Sequence, residues 1–250
     1  YRVSVSQYQD NFLLTGGSLL YAMDGLNARP TIDVDFMAER ISRDREFLTK
    51  VFQEILGIVC DEDGVTFDTE NITMEPITVE KKYPGTRFFF TAHMDSIIHK
   101  MSVDIGFGDV VTPYPASIDF PLLLPNIPSV NLQAYSLETV IAEKFHTMLD
   151  RDEYNSRMKD FFDCYQLLTK RELDDVTLYD AIKATFDNRE LEYNPKLKLF
   201  TAEFVNDANR QMQWKLFLRK IQWKEELSFN VVMQVIKDRL KPMAEKYWNR

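Results

Sequence analysis

A length of 250 residues with 45% hydrophobic and 28% charged residues is an ordinary globular composition, ample for a core, and it excludes a disordered chain. Two cysteines and three histidines exclude a disulfide framework and argue against a Cys/His zinc cluster, so a reducing cytoplasm is the expected setting. A formal net charge of −9 argues against indiscriminate nucleic-acid binding.

Residues 1–10 are polar and mixed, in keeping with the tail of a helix that starts in a longer gene product. An apolar run, Phe12-Leu13-Leu14, then meets Gly16-Gly17-Ser18 and a short helical pattern of Leu19, Leu20, Ala22 and Met23. This predicts a strand, a tight turn and a helix start. A second strand alternates Ile32, Asp33, Val34, Asp35 and Phe36, which puts the three apolar residues on one face and both carboxylates on the other. Two acids that close repel each other unless a cation lies between them, which points to a divalent metal with oxygen preference, Mg²⁺ or Mn²⁺. The glycines permit close approach of backbone to a ligand, and Ser18 adds a hydroxyl beside free N–H groups suited to phosphate. Arg29, between the two elements, could neutralise a phosphate or pair with an aspartate. A Gly-Gly-Ser turn or an Asp-x-Asp edge strand is commonplace alone; the two together suggest nucleotide chemistry.

Ser42 to Gly57 carries apolar residues at helical spacing, with Gly57 as a C-cap. Short strands are expected around Val65 and Phe67, Ile72 and Met74, and Ile77 and Val79. Tyr83-Pro84-Gly85 marks a turn before a strand of heavy aromatic load, residues 86–94. Residues 95–100 read as a connection. Met101 to Phe107 alternates again, with Asp104 facing away from Val103 and Ile105. This third carboxylate is what the opening pair lacks, because two-metal phosphoryl chemistry needs several oxygen ligands. His93-Met94-Asp95 matches a zinc-peptidase spacing only superficially, since His99 and His146 are the sole other histidines.

Five prolines between residues 111 and 132 exclude a regular helix there and mark the expected boundary between an α+β domain, 1–132, and an all-helical domain, 133–250. Ser136 caps a helix over 137–151, and further helices are expected over 157–169, 173–186, 202–220 and 225–247, the last interrupted or ended near Pro242. Residues 210–250 hold ten Lys and Arg against four acids, a basic end that could meet RNA or an acidic partner, or form a solvated helical face. No signal-peptide pattern occurs, and no apolar run approaches the roughly 18 residues of a membrane span, so neither export nor membrane insertion is expected.

The segment GGSLLYAMDGLNARPTIDVDF resembles the nucleotidyltransferase signature of the DNA polymerase beta-like superfamily and is most similar to the AbiEii/AbiGii toxin family, the nucleotidyltransferase halves of type IV toxin–antitoxin pairs. MSVDIGFGD resembles the family element that supplies the third carboxylate. Leu137-Glu138-Thr139-Val140-Ile141-Ala142-Glu143-Lys144 matches its Leu-Glu-x-x-x-Ala-Glu-Lys motif, and Arg157-Met158-Lys159-Asp160-Phe161-Phe162-Asp163 its Arg-x-Lys-Asp-x-x-Asp motif. The resemblance spans residues 10–170.

It implies a polymerase beta-like domain with a mixed sheet, followed by a helical domain. It implies a nucleoside triphosphate substrate, with Mg²⁺ or Mn²⁺ held by Asp33, Asp35 and Asp104, and with Asp104 also activating the attacking hydroxyl. Gly16, Gly17, Ser18 and Arg29 would meet the nucleotide, with Lys144 on its phosphates and Glu143 orienting Lys144 or bracing the domain interface. Arg157 or Asp160 would shape the nucleotide site; the simpler alternative is an ion-pair network between two helices. The implied acceptor is RNA, tRNA above all, and the implied protein partner a cognate antitoxin, in the cytoplasm and without a membrane. Competing readings are transfer onto protein and a regulatory nucleotide-binding protein without turnover.

Overall fold

The computed structural model describes residues 1–77, 85–123 and 126–250. The expected strand position Val79, the turn at Tyr83-Pro84 and Pro125 lie outside the described residues. The chain divides into two compact units, one of residues 1–109 with 115–135, the other of residues 110–114 with 136–250.

The first unit is a mixed sheet with helices. Its elements are β1 (Phe12–Thr15), α1 (Gly16–Asp24), β2 (Val34–Ala38), α2 (Arg45–Leu56), β3 (Thr66–Phe67), β4 (Thr73–Ile77), β5 (Gly85–Met94), β6 (Ile97–Phe107), β7 (Ala116–Phe120) and β8 (Val130–Ala134). Among the described residues the strand order is β3-β5-β6-β2-β1-β8-β7, with β4 also paired to β5. β2 runs antiparallel to β1 and parallel to β6, and β8 runs parallel to β1. β2 and β6 are therefore central, the position from which side chains can be held most firmly.

Alternation along these strands separates two faces. Val34 and Phe36, with Phe88, Phe90 and Ile105, form the apolar side that receives α2. There Phe52 stacks on Phe88 at 4.0 Å between ring centroids and meets Phe12 edge-on at 5.7 Å. Asp44 caps α2 by accepting a hydrogen bond from the Phe47 amide at 2.9 Å, two residues inside the expected start. A cavity of about 210 Å³ lies on this apolar side, lined by Phe12, Val34, Phe36 and Val103 among others, away from the aspartates.

Three expectations for this unit change. Ile32 and Asp33 precede the strand rather than belong to it, and Ile32 is 97% exposed. The Asp33 carbonyl is taken instead by the hydroxyls of Ser18 and Thr31, at 3.0 and 3.3 Å. The expected connection over 95–100 is mostly strand, because the β5–β6 ladder continues to Met94 opposite Ile97 and Asp95, at φ 51°, turns the chain tightly. Residues 1–8 form turns, followed by a single 3₁₀ turn at Gln9–Asn11, and Arg2 ties them down through Asp63 at 2.7 Å.

The second unit is helical: α3 (Leu137–Arg151), α4 (Met158–Lys170), α5 (Asp175–Asn188), α6 (Ala202–Asn206), α7 (Ala208–Lys220) and α8 (Phe229–Trp248). Ser136 caps α3 as expected, accepting from the Thr139 amide. The single helix expected over 202–220 is broken at Asp207, whose side chain accepts from the Arg210 amide at 2.8 Å and so starts α7 afresh. Pro242 lies inside α8 without ending it. It sits on the exposed side with Asp238, so the carbonyl freed four residues earlier can be hydrated. Phe161, Phe186, Trp214 and Phe229 are fully buried here. No helix among the described residues is long and apolar enough to cross a membrane.

Candidate functional site

The opening segment folds as strand, helix and strand. β1 passes directly into α1, with Gly16 at φ 65°, a left-handed conformation that an L side chain enters at a cost. A Cβ on Gly16 would overlap Asp35 Oδ2 and stand 2.8 Å from its Cγ, so the Asp35 carboxylate packs against the bare glycine. A Cβ on Gly17 would lie 2.5 Å from Thr31 Oγ1 and 2.7 Å from Thr31 Cβ. The two glycines are therefore needed for side chains of the following segment as much as for any ligand. Ser18 is buried, and its hydroxyl donates to the Asp33 carbonyl, tying α1 to the entry of β2. Arg29 donates to the Pro30 carbonyl at 3.4 Å.

Pairing between strands completes the group. Asp35 is directly opposite Asp104 in the parallel β2–β6 pair, and Arg87 is directly opposite Asp104 in the antiparallel β5–β6 pair. Directly opposed residues share a face, so Arg87, Asp104 and Asp35 form a row across three strands. The Arg87 guanidinium binds Asp104 with both arms, Nε to Oδ1 and Nη2 to Oδ2, each at 2.6 Å. These hydrogen bonds hold the guanidinium pKa above its ordinary value, and the charges of Asp104, Asp33 and Asp35 add to the effect. Asp33 itself is exposed.

The donors suit a hard divalent cation in kind, being carboxylate oxygens on neighbouring central strands. Among the described residues, however, no three His, Cys, Asp or Glu side chains are gathered closely enough to hold a metal ion. Asp104 is bound instead by the Arg87 guanidinium. Sequence reading passed over it, because a lone Arg in an aromatic strand reads as its solvated face; only pairing opposite Asp104 reveals its place.

The motifs of the helical unit form a second cluster, on α3 and α4. Lys144 Nζ lies 2.9 Å from both Asp160 Oδ1 and Asp163 Oδ2, and Arg157 Nε lies 2.5 Å from Asp160 Oδ2. Asp160 and Asp163 are 3% and 1% exposed at the side chain, Lys144 13% and Arg157 41%. Glu143 pairs with Arg189, just beyond α5, at 3.1 Å. Burial alone would lower the Lys144 pKa, but the charges of Asp160 and then Asp163 outweigh it and hold it above the ordinary value. Burial would raise Asp160; the charges of Lys144 and Arg157 and their hydrogen bonds bring it down instead, to about 2.

That depression has a pH signature. A carboxyl whose folded pKa lies below its ordinary value of 3.8 contributes stability above that value and loses it as pH falls through the folded one. Asp160 is expected to account for about 2–3 kcal/mol of acid lability between about pH 4 and 2. Denaturant unfolding across that range should show a slope in the wild type and a flatter one in Asp160→Asn; equal slopes would remove the assignment.

A family model described as the nucleotidyl transferase AbiEii toxin of type IV toxin–antitoxin systems matches residues 1–235. No curated protein matches the chain. Among solved structures, one from H. pylori assigned to the nucleotidyltransferases superposes with a TM-score of 0.51 at 12% identity, over 99% of this chain and 91% of that one. JHP933 from Helicobacter pylori gives 0.48 at 16% identity over 98% and 90%. An antigenic nucleotidyltransferase-like protein from Paracoccidioides brasiliensis gives 0.36 at 12% identity over 90% and 84%.

Proposed function

The chain belongs to the AbiEii family of nucleotidyltransferase toxins, and from that premise we propose that it transfers a nucleotide from a nucleoside triphosphate to an RNA hydroxyl, with tRNA the favoured acceptor and a divalent metal ion as cofactor. The observation that carries this reading is the in-register placement of Asp35 and Asp104 on adjacent central strands, with Asp35 seated against Gly16. The bond from the acceptor oxygen to the α-phosphorus forms as the bond from that phosphorus to the bridging oxygen breaks, and pyrophosphate leaves. A bound Mg²⁺ would supply charge stabilisation at the phosphates.

Each residue has a part in this proposal. Asp33 and Asp35 would hold the metal. Asp104 would share it and take the hydroxyl proton, a role suited to an oxygen acceptor fixed on a rigid strand. Gly16 and Gly17 keep the backbone open to the triphosphate, Ser18 fixes the Asp33 carbonyl, and Arg29 offers positive charge to a phosphate. Lys144, Arg157 and Asp160 keep the nucleotide-binding roles that the family motifs give them. A cognate antitoxin is the proposed protein partner.

Incubation with labelled nucleoside triphosphates, Mg²⁺ and total tRNA should label RNA with the wild type and fail with Asp35→Ala. Equal labelling by both proteins would sink the assignment. Label on polypeptide would move the acceptor to protein. Nucleotide binding without labelling of either would leave a regulatory binding protein.

A further inference from the structure

We propose that Arg87 is the resident counter-cation of the carboxylate site, which a divalent metal ion has to displace from Asp104, so that Arg87 sets the affinity for the metal. The inference rests on reading Asp33, Asp35 and Asp104 as the metal site, and goes beyond it by assigning a role to a residue outside the family motifs.

Three observations converge on it. First, both oxygens of Asp104 are engaged by one guanidinium at 2.6 Å each, so the carboxylate is oriented toward Arg87 and about half of its accepting capacity is used. Second, Asp35 stands directly opposite Asp104 and shares a face with it and with Arg87, so the guanidinium lies in the same row of side chains that a metal ion would use. A divalent ion and a guanidinium crowded onto one small set of carboxylates repel each other, and the more strongly held cation excludes the other. Third, Arg87 cannot yield by losing its proton, since guanidinium stays charged throughout the ordinary pH range. It can only swing away, and its side chain is 38% exposed where that of Asp104 is 17% exposed, which leaves it an open side to move into.

A purely structural strand ion pair makes a different forecast. Such a pair would be indifferent to metal, and its loss would lower stability equally with and without the ion.

The test measures Mn²⁺ binding to chelator-treated full chain, by the loss of the free-ion paramagnetic resonance signal, for wild type, Arg87→Gln and Arg87→Lys. Arg87→Gln is expected to bind Mn²⁺ at least about tenfold more tightly than wild type, equivalent to about 1.4 kcal/mol. Arg87→Lys keeps the charge but loses the two-armed grip, so it should fall between the two. Should Arg87→Gln fail to fold, the shift in Arg87→Lys decides alone. Equal affinity in wild type and variants, or weaker binding in the variants, overturns the role of Arg87 while leaving a metal site in place. Absence of Mn²⁺ binding in all three removes the metal site itself, and this inference with it.

Discussion

Lys144→Met is expected to destabilise the helical unit by about 3–5 kcal/mol, the usual cost of removing one partner from a buried ion pair. The reason is the number of carboxylates left behind. Lys144 is within hydrogen-bonding distance of Asp160 and Asp163 together, both almost fully buried, and Asp160 also meets Arg157. Without the ammonium, both carboxylates keep their desolvation and lose a charge that offsets it. Urea unfolding followed by circular dichroism should register the loss, and adding Asp163→Asn to Lys144→Met should recover part of it, because one stranded charge is gone. A single variant as stable as wild type would mean that the cluster carries little of the fold. The ammonium also has the opposite pH behaviour to Asp160. Its raised pKa gives stability that is complete below about pH 10.5 and is lost as pH rises through the folded value.

Gly16→Ala is expected to lower nucleotide transfer by about 100-fold or more, since a displacement of about 1 Å in a reacting group can have that effect. The added methyl would claim space already held by Asp35 Oδ2, and the left-handed backbone at position 16 gives it no easy alternative direction. Either Asp35 turns aside or the start of α1 moves. Both misplace a carboxylate that the proposed chemistry needs. The backbone cost alone is about 1–2 kcal/mol, so the variant should remain folded while its turnover collapses. Steady-state transfer beside a thermal melt separates the two effects; near-normal turnover would show that the position of Asp35 is not critical.

The sequence alone marked the parts of the candidate site that depend on short spacing. Gly-Gly-Ser, Asp-x-Asp and an alternating strand bearing Asp104 follow from periodicities of two and from the conformational range of glycine. What it could not supply were relations made by pairing over long distances. Arg87 is unremarkable until β5 is aligned with β6. An ion-pair network between two helices was open for Arg157 and Asp160, and only helix packing brings Lys144 to Asp160 and Asp163. Ile32 misled because alternation continued one turn too early, where side-chain hydroxyls rather than a neighbouring strand take the Asp33 carbonyl. Asp207 was read as a helix interior residue although Asp is a strong N-cap, and the capping bond to Arg210 prevailed.

The parallel pairing of β2 with β6 also bears on when the chain becomes competent. Asp35 leaves the ribosome early, and its neighbour Asp104 arrives only after α2 and the whole of the β5–β6 hairpin have been made. Parallel pairing across so long an intervening segment is slow, because the entropy of closing it is lost before any contact rewards it. The strand that brings Asp104 is the same one that brings Arg87, its hairpin neighbour. On the proposed reading, a nascent or truncated chain holds two of the aspartates without the third, and Asp104 comes on the same hairpin as its partner Arg87. If Asp35 and Asp104 act together as proposed, this order of assembly withholds their arrangement until the sheet has closed.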